Sequence, residues 1–119
     1  MKKLIVLFFL FSFILPRAYA KDEARDITNG AFNDVKVATE LVNQANSMIQ
    51  DGELARQKAE VALSLYVRAG QLFEKAEALF KAVGFDYVSQ RDIDGAKEAK
   101  ESCILNIEEL KKRLPNLKM

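Results

Sequence analysis

Histidine and tryptophan are absent from this chain of 119 residues, cysteine occurs once, proline twice and glycine five times. Without histidine there is no Ser-His-Asp or Cys-His nucleophile, no histidine zinc site and no use of the commonest general base. No serine is followed three residues later by lysine, so the Ser-x-x-Lys nucleophile is missing as well. The glycines stand at 30, 52, 70, 84 and 95, too scattered to cradle a phosphate. Carboxylate pairs exist, Glu98 with Glu101 and Glu108 with Glu109, but on helices such pairs read as solvated faces. These absences argue against an enzyme, and the sequence predicts no catalytic residue and no cofactor. The lone Cys103 has no internal disulfide partner, so packing alone holds the fold. It is either buried or paired with another chain, and its place on an apolar stripe favours burial.

Long hydrophobic runs are equally scarce, with one conspicuous instance. Lys2 and Lys3 precede the run Leu4 to Leu15, broken only by Ser12, and Ala18-Tyr19-Ala20 follows as a small-x-small site. That order reads as a cleavable signal peptide, residues 1–20, with export to the periplasm or the exterior. Pro16 and Arg17 close the run after twelve residues, short of the roughly 20 a bilayer span needs, so no membrane anchor is expected after cleavage. Residues 21–119 then form one modest domain. Losing Lys2, Lys3 and Arg17 leaves 15 cationic side chains against 17 acidic ones, a net charge of −2. Nucleic acid, which selects a dense basic face, is a poor partner for such a surface.

What remains is helical in period. Ala31, Val35, Ala38, Leu41, Val42, Ala45, Met48 and Ile49 recur at three and four residues, and Asp51-Gly52 offers a left-handed stop. A second run goes from Leu54 through Val61, Leu65, Phe73 and Phe80 to Val83, and Gly70 marks a possible bend in it. A third goes from Ile93 through Ala96, Cys103, Ile107 and Leu110 to Leu114 and stops at Pro115. Nowhere does the two-residue alternation of a half-buried strand appear. The expectation is an all-α fold, an antiparallel three-helix bundle or helical hairpin array over 31–114, with close helix approach at the many alanines. Residues 21–30, polar and ending in Asn29-Gly30, read as a flexible or loosely helical N-terminus, and 115–119 as a tail.

Two local patterns resemble known families. Gln90, Asp92, Asp94, Gly95 and Glu101 fall at the first, third, fifth, sixth and twelfth places of a loop that resembles the EF-hand, which would imply calcium held by Gln90, Asp92, Asp94 and Glu101. A helix start with acidic first-turn residues accounts for the same stretch. Phe80, Val83, Gly84 and Tyr87, with Ala96 beyond, resemble one tetratricopeptide-type hairpin covering about a third of the mature chain, which implies hairpin packing and at most a binding role.

Tyr66, Phe73 and Phe80 fit the core stripe, whereas Phe85 and Tyr87 flank a connection and are the preferred partner-contact candidates. The functional expectation is an exported helical interaction module or adaptor with a protein partner, with an uncovered part of the central stripe able to support a homodimer. An exported inhibitor or immunity factor and a calcium-responsive module are the other readings.

Overall fold

The computed structural model describes residues 21–50 and 55–117, and the leader segment and the Asp51-Gly52 stop lie outside them. Three α-helices follow one another: α1 (Lys21–Gln50), α2 (Arg56–Val83) and α3 (Gln90–Arg113), with a short 3-10 turn at Leu114–Asn116. No strand occurs among the described residues.

The stripes that drive this assembly repeat at seven residues. On α1 the buried positions Ala24, Ala31, Ala38 and Ala45 are each seven apart, and on α2 so are Ala62, Ala69 and Ala76. The two ladders face each other: Ala31 packs with Ala76 in one cluster, Ala38 with Ala69 in a second and Ala45 with Ala62 in a third. A methyl-sized side chain on both helices at the same level lets the backbones approach closely, and a strict seven-residue repeat winds such a pair into a left-handed supercoil. α2 carries a second seven-residue stripe of Ala59, Tyr66, Phe73 and Phe80, all buried, and α3 carries Ala96, Cys103 and Leu110.

Cross-links between side chains fix the direction of each helix. Lys75 Nζ lies 3.4 Å from Asp34 Oδ2, and Tyr66 donates its hydroxyl to Asn46 Oδ1, so α2 runs antiparallel to α1. Lys100 Nζ lies 3.4 Å from Glu77 Oε1, and Arg56 donates through Nη2 to the Leu114 carbonyl at 3.1 Å. α3 therefore returns antiparallel to α2 and runs parallel to α1.

α1 is helical from Lys21 and continuous through Asn29-Gly30, where the sequence reads a flexible or loosely helical segment and a turn. Burial supplies the reason: Ala24 and Thr28 are covered, and the Thr28 hydroxyl donates to the Ala24 carbonyl at 2.7 Å. A hydroxyl satisfied inside the helix and a methyl on the ladder outweigh the local turn preference of the dipeptide. α2 is likewise continuous through Gly70. That glycine is buried against α3, where a Cβ would meet Cys103 Cβ at an ordinary contact distance of 3.5 Å.

The α2 to α3 connection is tight. Gly84 ends α2 with φ of 85°, a conformation costly for any other residue, and donates its N–H to the Phe80 carbonyl at 3.2 Å. The Tyr87 and Val88 N–H groups both donate to the Gly84 carbonyl, and Val88 is buried beneath the turn. α3 then opens on a capping box. The Ser89 hydroxyl accepts from the Asp92 N–H at 3.2 Å while the Asp92 carboxylate accepts from the Ser89 N–H at 2.9 Å.

Candidate functional site

α2 packs against both neighbours, whereas the backbones of α1 and α3 stay apart. The three helices accordingly form a layer with α2 in the middle. The sequence leaves part of the long central stripe open to a partner. In the structure α1 and α3 cover most of that stripe, Val61 staying 43% exposed, and a furrow lies open between the two outer helices.

This furrow holds three hollows in succession, of about 300, 220 and 220 Å³. The first is lined by Phe32, Val35 and Thr39 from α1, Phe73 and Phe80 from α2, and Arg91, Asp92, Gly95, Ala96 and Ala99 from α3. Thr39, Phe73 and Ala99 continue into the second, which adds Val42, Ser102, Cys103 and Asn106. Asn106 continues into the third, with Asn46, Ile49, Tyr66, Glu109, Leu110 and Arg113. One groove thus runs from Phe32 and Arg91 at one end to Ile49 and Arg113 at the other.

The floor is closed by Tyr66, Phe73 and Phe80, each almost wholly covered. What the groove offers to solvent is its walls. Phe32 is 41% exposed and stacks obliquely on Phe80, ring centroids 4.8 Å apart at 53°. Val35, Val42 and Ala99 are half-buried, and Thr39, Gly95 and Ser102 are exposed. Gly95, Ala99, Ser102 and Asn106 recur at three and four residues, so the α3 wall is built of small side chains.

Electrostatically the floor is inert. Burial raises the Tyr66 hydroxyl, with a further contribution from Cys103, and burial raises the Cys103 thiol. Both groups stay neutral at physiological pH, and a protonated buried thiol is a poor nucleophile. Glu77 lies at the α2–α3 interface, 7% exposed, with Lys81 at 3.0 Å and Lys100 at 3.4 Å. Burial pushes its carboxyl up, but the hydrogen bonds and charges of Lys81 and Lys100 outweigh that and hold it below the ordinary value.

The residues of the EF-hand-like pattern lie on one continuous helix and form no loop. Gln90 opens α3, where its Nε2 donates to Asp94 Oδ1 at 2.9 Å, and Asp92 is committed to the capping box. Glu101 is exposed more than two turns further on. Helical backbone fans these oxygens around the axis, where a calcium loop would converge them, and no three acidic or thiol groups among the described residues could hold a metal.

The two contact candidates in the connection part company. Phe85 is 68% exposed, whereas Tyr87 is half-buried against the cluster around Phe80 and Val88. In the tetratricopeptide-like set, Phe80 and Ala96 are core residues of that same cluster, with Val83 and Tyr87 packed on it.

Sequence reasoning did not single out the groove walls. Phe32 carried a usable signal, since an aromatic one position off the Ala31 stripe cannot share its burial. The small residues at 95, 99, 102 and 106 carried another, flanking the core stripe of Ala96 and Cys103 at helical spacing.

No helix among the described residues is long and apolar enough to cross a membrane. Comparison with known proteins gave no match to any family model, curated protein or solved structure.

Proposed function

We propose that the chain is an exported, non-enzymatic interaction module that accepts a helix of a protein partner in the groove between α1 and α3. The observation that carries this reading is the groove itself: two parallel helices held apart over an aromatic floor, with apolar walls left partly open. Such a furrow suits the helix-in-groove mode of recognition, in which anchors spaced three and four residues apart enter successive hollows. Export rests on the order of charge, apolar run and small-x-small site in residues 1–20. The lack of an activated nucleophile or base supports a binding role.

A photo-crosslinking residue placed at Ser102, in the groove wall, and separately at Arg68, on the far side of α2, tests the reading in the cells that make the protein. A discrete adduct from position 102 and none from 68 is the expected result. Adducts from both positions, or from neither, would count against a groove-borne partner. Mass spectrometry of the exported product checks the leader, with Lys21 expected as its first residue.

A second reading, an inhibitor or immunity factor that contacts its target through a loop, draws on the exposure of Phe85. A crosslinker at position 85 that captures a partner when position 102 does not would favour it.

A further inference from the structure

We infer that the chain pairs with a second copy of itself through the face of the α2–α3 hairpin that lies opposite the groove; this goes beyond the groove reading and does not rest on it. The seam between the two helices is marked by Gly70 against Cys103 and by Glu77 against Lys100. On α3, Ser102 lies on the groove side of Cys103, so Ile104, one residue past it, lies on the other side. On α2, Tyr66 and Phe73 close the groove floor, and Val67 and Glu74, a further turn of about 100° round the helix, lie across the seam from them.

Two exposed stripes of seven-residue period run along this face: Glu60, Val67, Glu74 and Lys81 on α2, and Lys97, Ile104 and Lys111 on α3. Val67 is 38% and Ile104 45% exposed, and the half-buried Leu63 and Ile107 beside them pack on the core beneath. An apolar strip thus shows at the seam, with acids on the α2 stripe and lysines on the α3 stripe. Lys81 and Lys100 are already bound to Glu77. Glu60, Glu74, Lys97 and Lys111 make no ion pair among the described residues.

A two-fold axis parallel to the helices sets α2 of each copy on α3 of the other without changing their heights. The contacts across the seam put Glu74 level with Lys97, Val67 with Ile104 and Glu60 with Lys111, to within about one turn. Glu74 therefore comes opposite the partner's Lys97, Val67 opposite the partner's Ile104 and Glu60 opposite the partner's Lys111, and each pairing forms twice. Glu101 and Glu108, on the outer flank of the α3 stripe, come over the uncharged Gln71 and Ser64 of the partner subunit. Neighbouring helices in the resulting set of four are all antiparallel, an up-down-up-down bundle. The other face-to-face arrangement, with the axis across the helices, would set α2 on α2 and α3 on α3, acid against acid and lysine against lysine. Charge thus selects the first arrangement.

Sedimentation equilibrium of the purified chain tests this. Wild type should be a dimer at about 100 μM. Lys97→Glu with Lys111→Glu, and separately Glu60→Lys with Glu74→Lys, should each raise the dimer dissociation constant at least about tenfold, because like charges then meet across the contact. Circular dichroism should show unchanged helix content in both. An equimolar mixture of the two double variants should dimerise as wild type does, since the acidic stripes of one then face the lysine stripes of the other. A damaged fold could not give that rescue.

A monomeric wild type would overturn the inference and leave this face to a different protein. A dimer that withstands both double variants, or a mixture that stays monomeric, would overturn it too and move any self-contact to another face. None of these outcomes bears on the groove reading, whose own test reads from Ser102 on the opposite surface.

Discussion

At the scale of the residue, the glycines separate by what surrounds them. Nothing lies within 4 Å of a Cβ placed at Gly30 or Gly95, and at Gly70 the nearest atom, Cys103 Cβ, is at ordinary contact distance of 3.5 Å. All three lie within helices, where glycine costs about 1 kcal/mol relative to alanine. Gly30→Ala, Gly70→Ala and Gly95→Ala are each expected to raise stability by about 0.5–1 kcal/mol in urea denaturation. Gly84→Ala should lower it by about 1 kcal/mol, because φ of 85° lies in the left-handed region. Local sequence alone cannot sort these cases. A glycine that stops a helix, one that admits a neighbour and one that merely sits on a surface look alike until the facing element is known.

At the scale of the element, the α2–α3 hairpin carries a titratable clasp. Glu77 is nearly buried between Lys81 of its own helix and Lys100 of the next. Its carboxyl is held below the ordinary value, about 4.3 in the unfolded chain, so the unfolded state takes up a proton first as pH falls. The clasp's contribution is therefore complete above the unfolded value and disappears as pH drops through the folded one. Glu77→Gln should lower the melting temperature at pH 7, by an equivalent of about 1–3 kcal/mol. Its difference from wild type should shrink below about pH 4, and a difference that persists there would mean that packing, not charge, makes the clasp.

Helix content was the legible part of these elements. The runs through Ala38, Phe73 and Cys103 show their three- and four-residue spacing directly, and Pro115 marks the end of α3. The extension of α1 back to Lys21 was not legible, because Ala24 and Thr28 are short side chains in a polar stretch and their burial shows only in the assembled structure. Nor does periodicity say how far apart two helices lie when a third stands between them. For that reason the groove between α1 and α3 emerges only from the assembled layer.

At the scale of the whole molecule, the seven-residue alanine ladders leave the α1–α2 interface unusually indifferent to sliding. Displaced by one repeat, about 10.5 Å along the axis, α1 would again set methyl against methyl: Ala31 would meet Ala69, and Ala38 would meet Ala62. Contacts outside the ladder break this degeneracy, among them Asp34 with Lys75, Asn46 with Tyr66 and the Phe32 ring on Phe80. Removing the two polar ones, as in Asp34→Ala combined with Tyr66→Phe, should leave the helix content of the chain unchanged while splitting amide NMR signals of α1 into more than one set. A single set with wild-type dispersion would show that the aromatic stripe alone fixes the alignment. Like a vernier with too few marks, the two coils agree at several settings, and a pair of polar pins chooses among them.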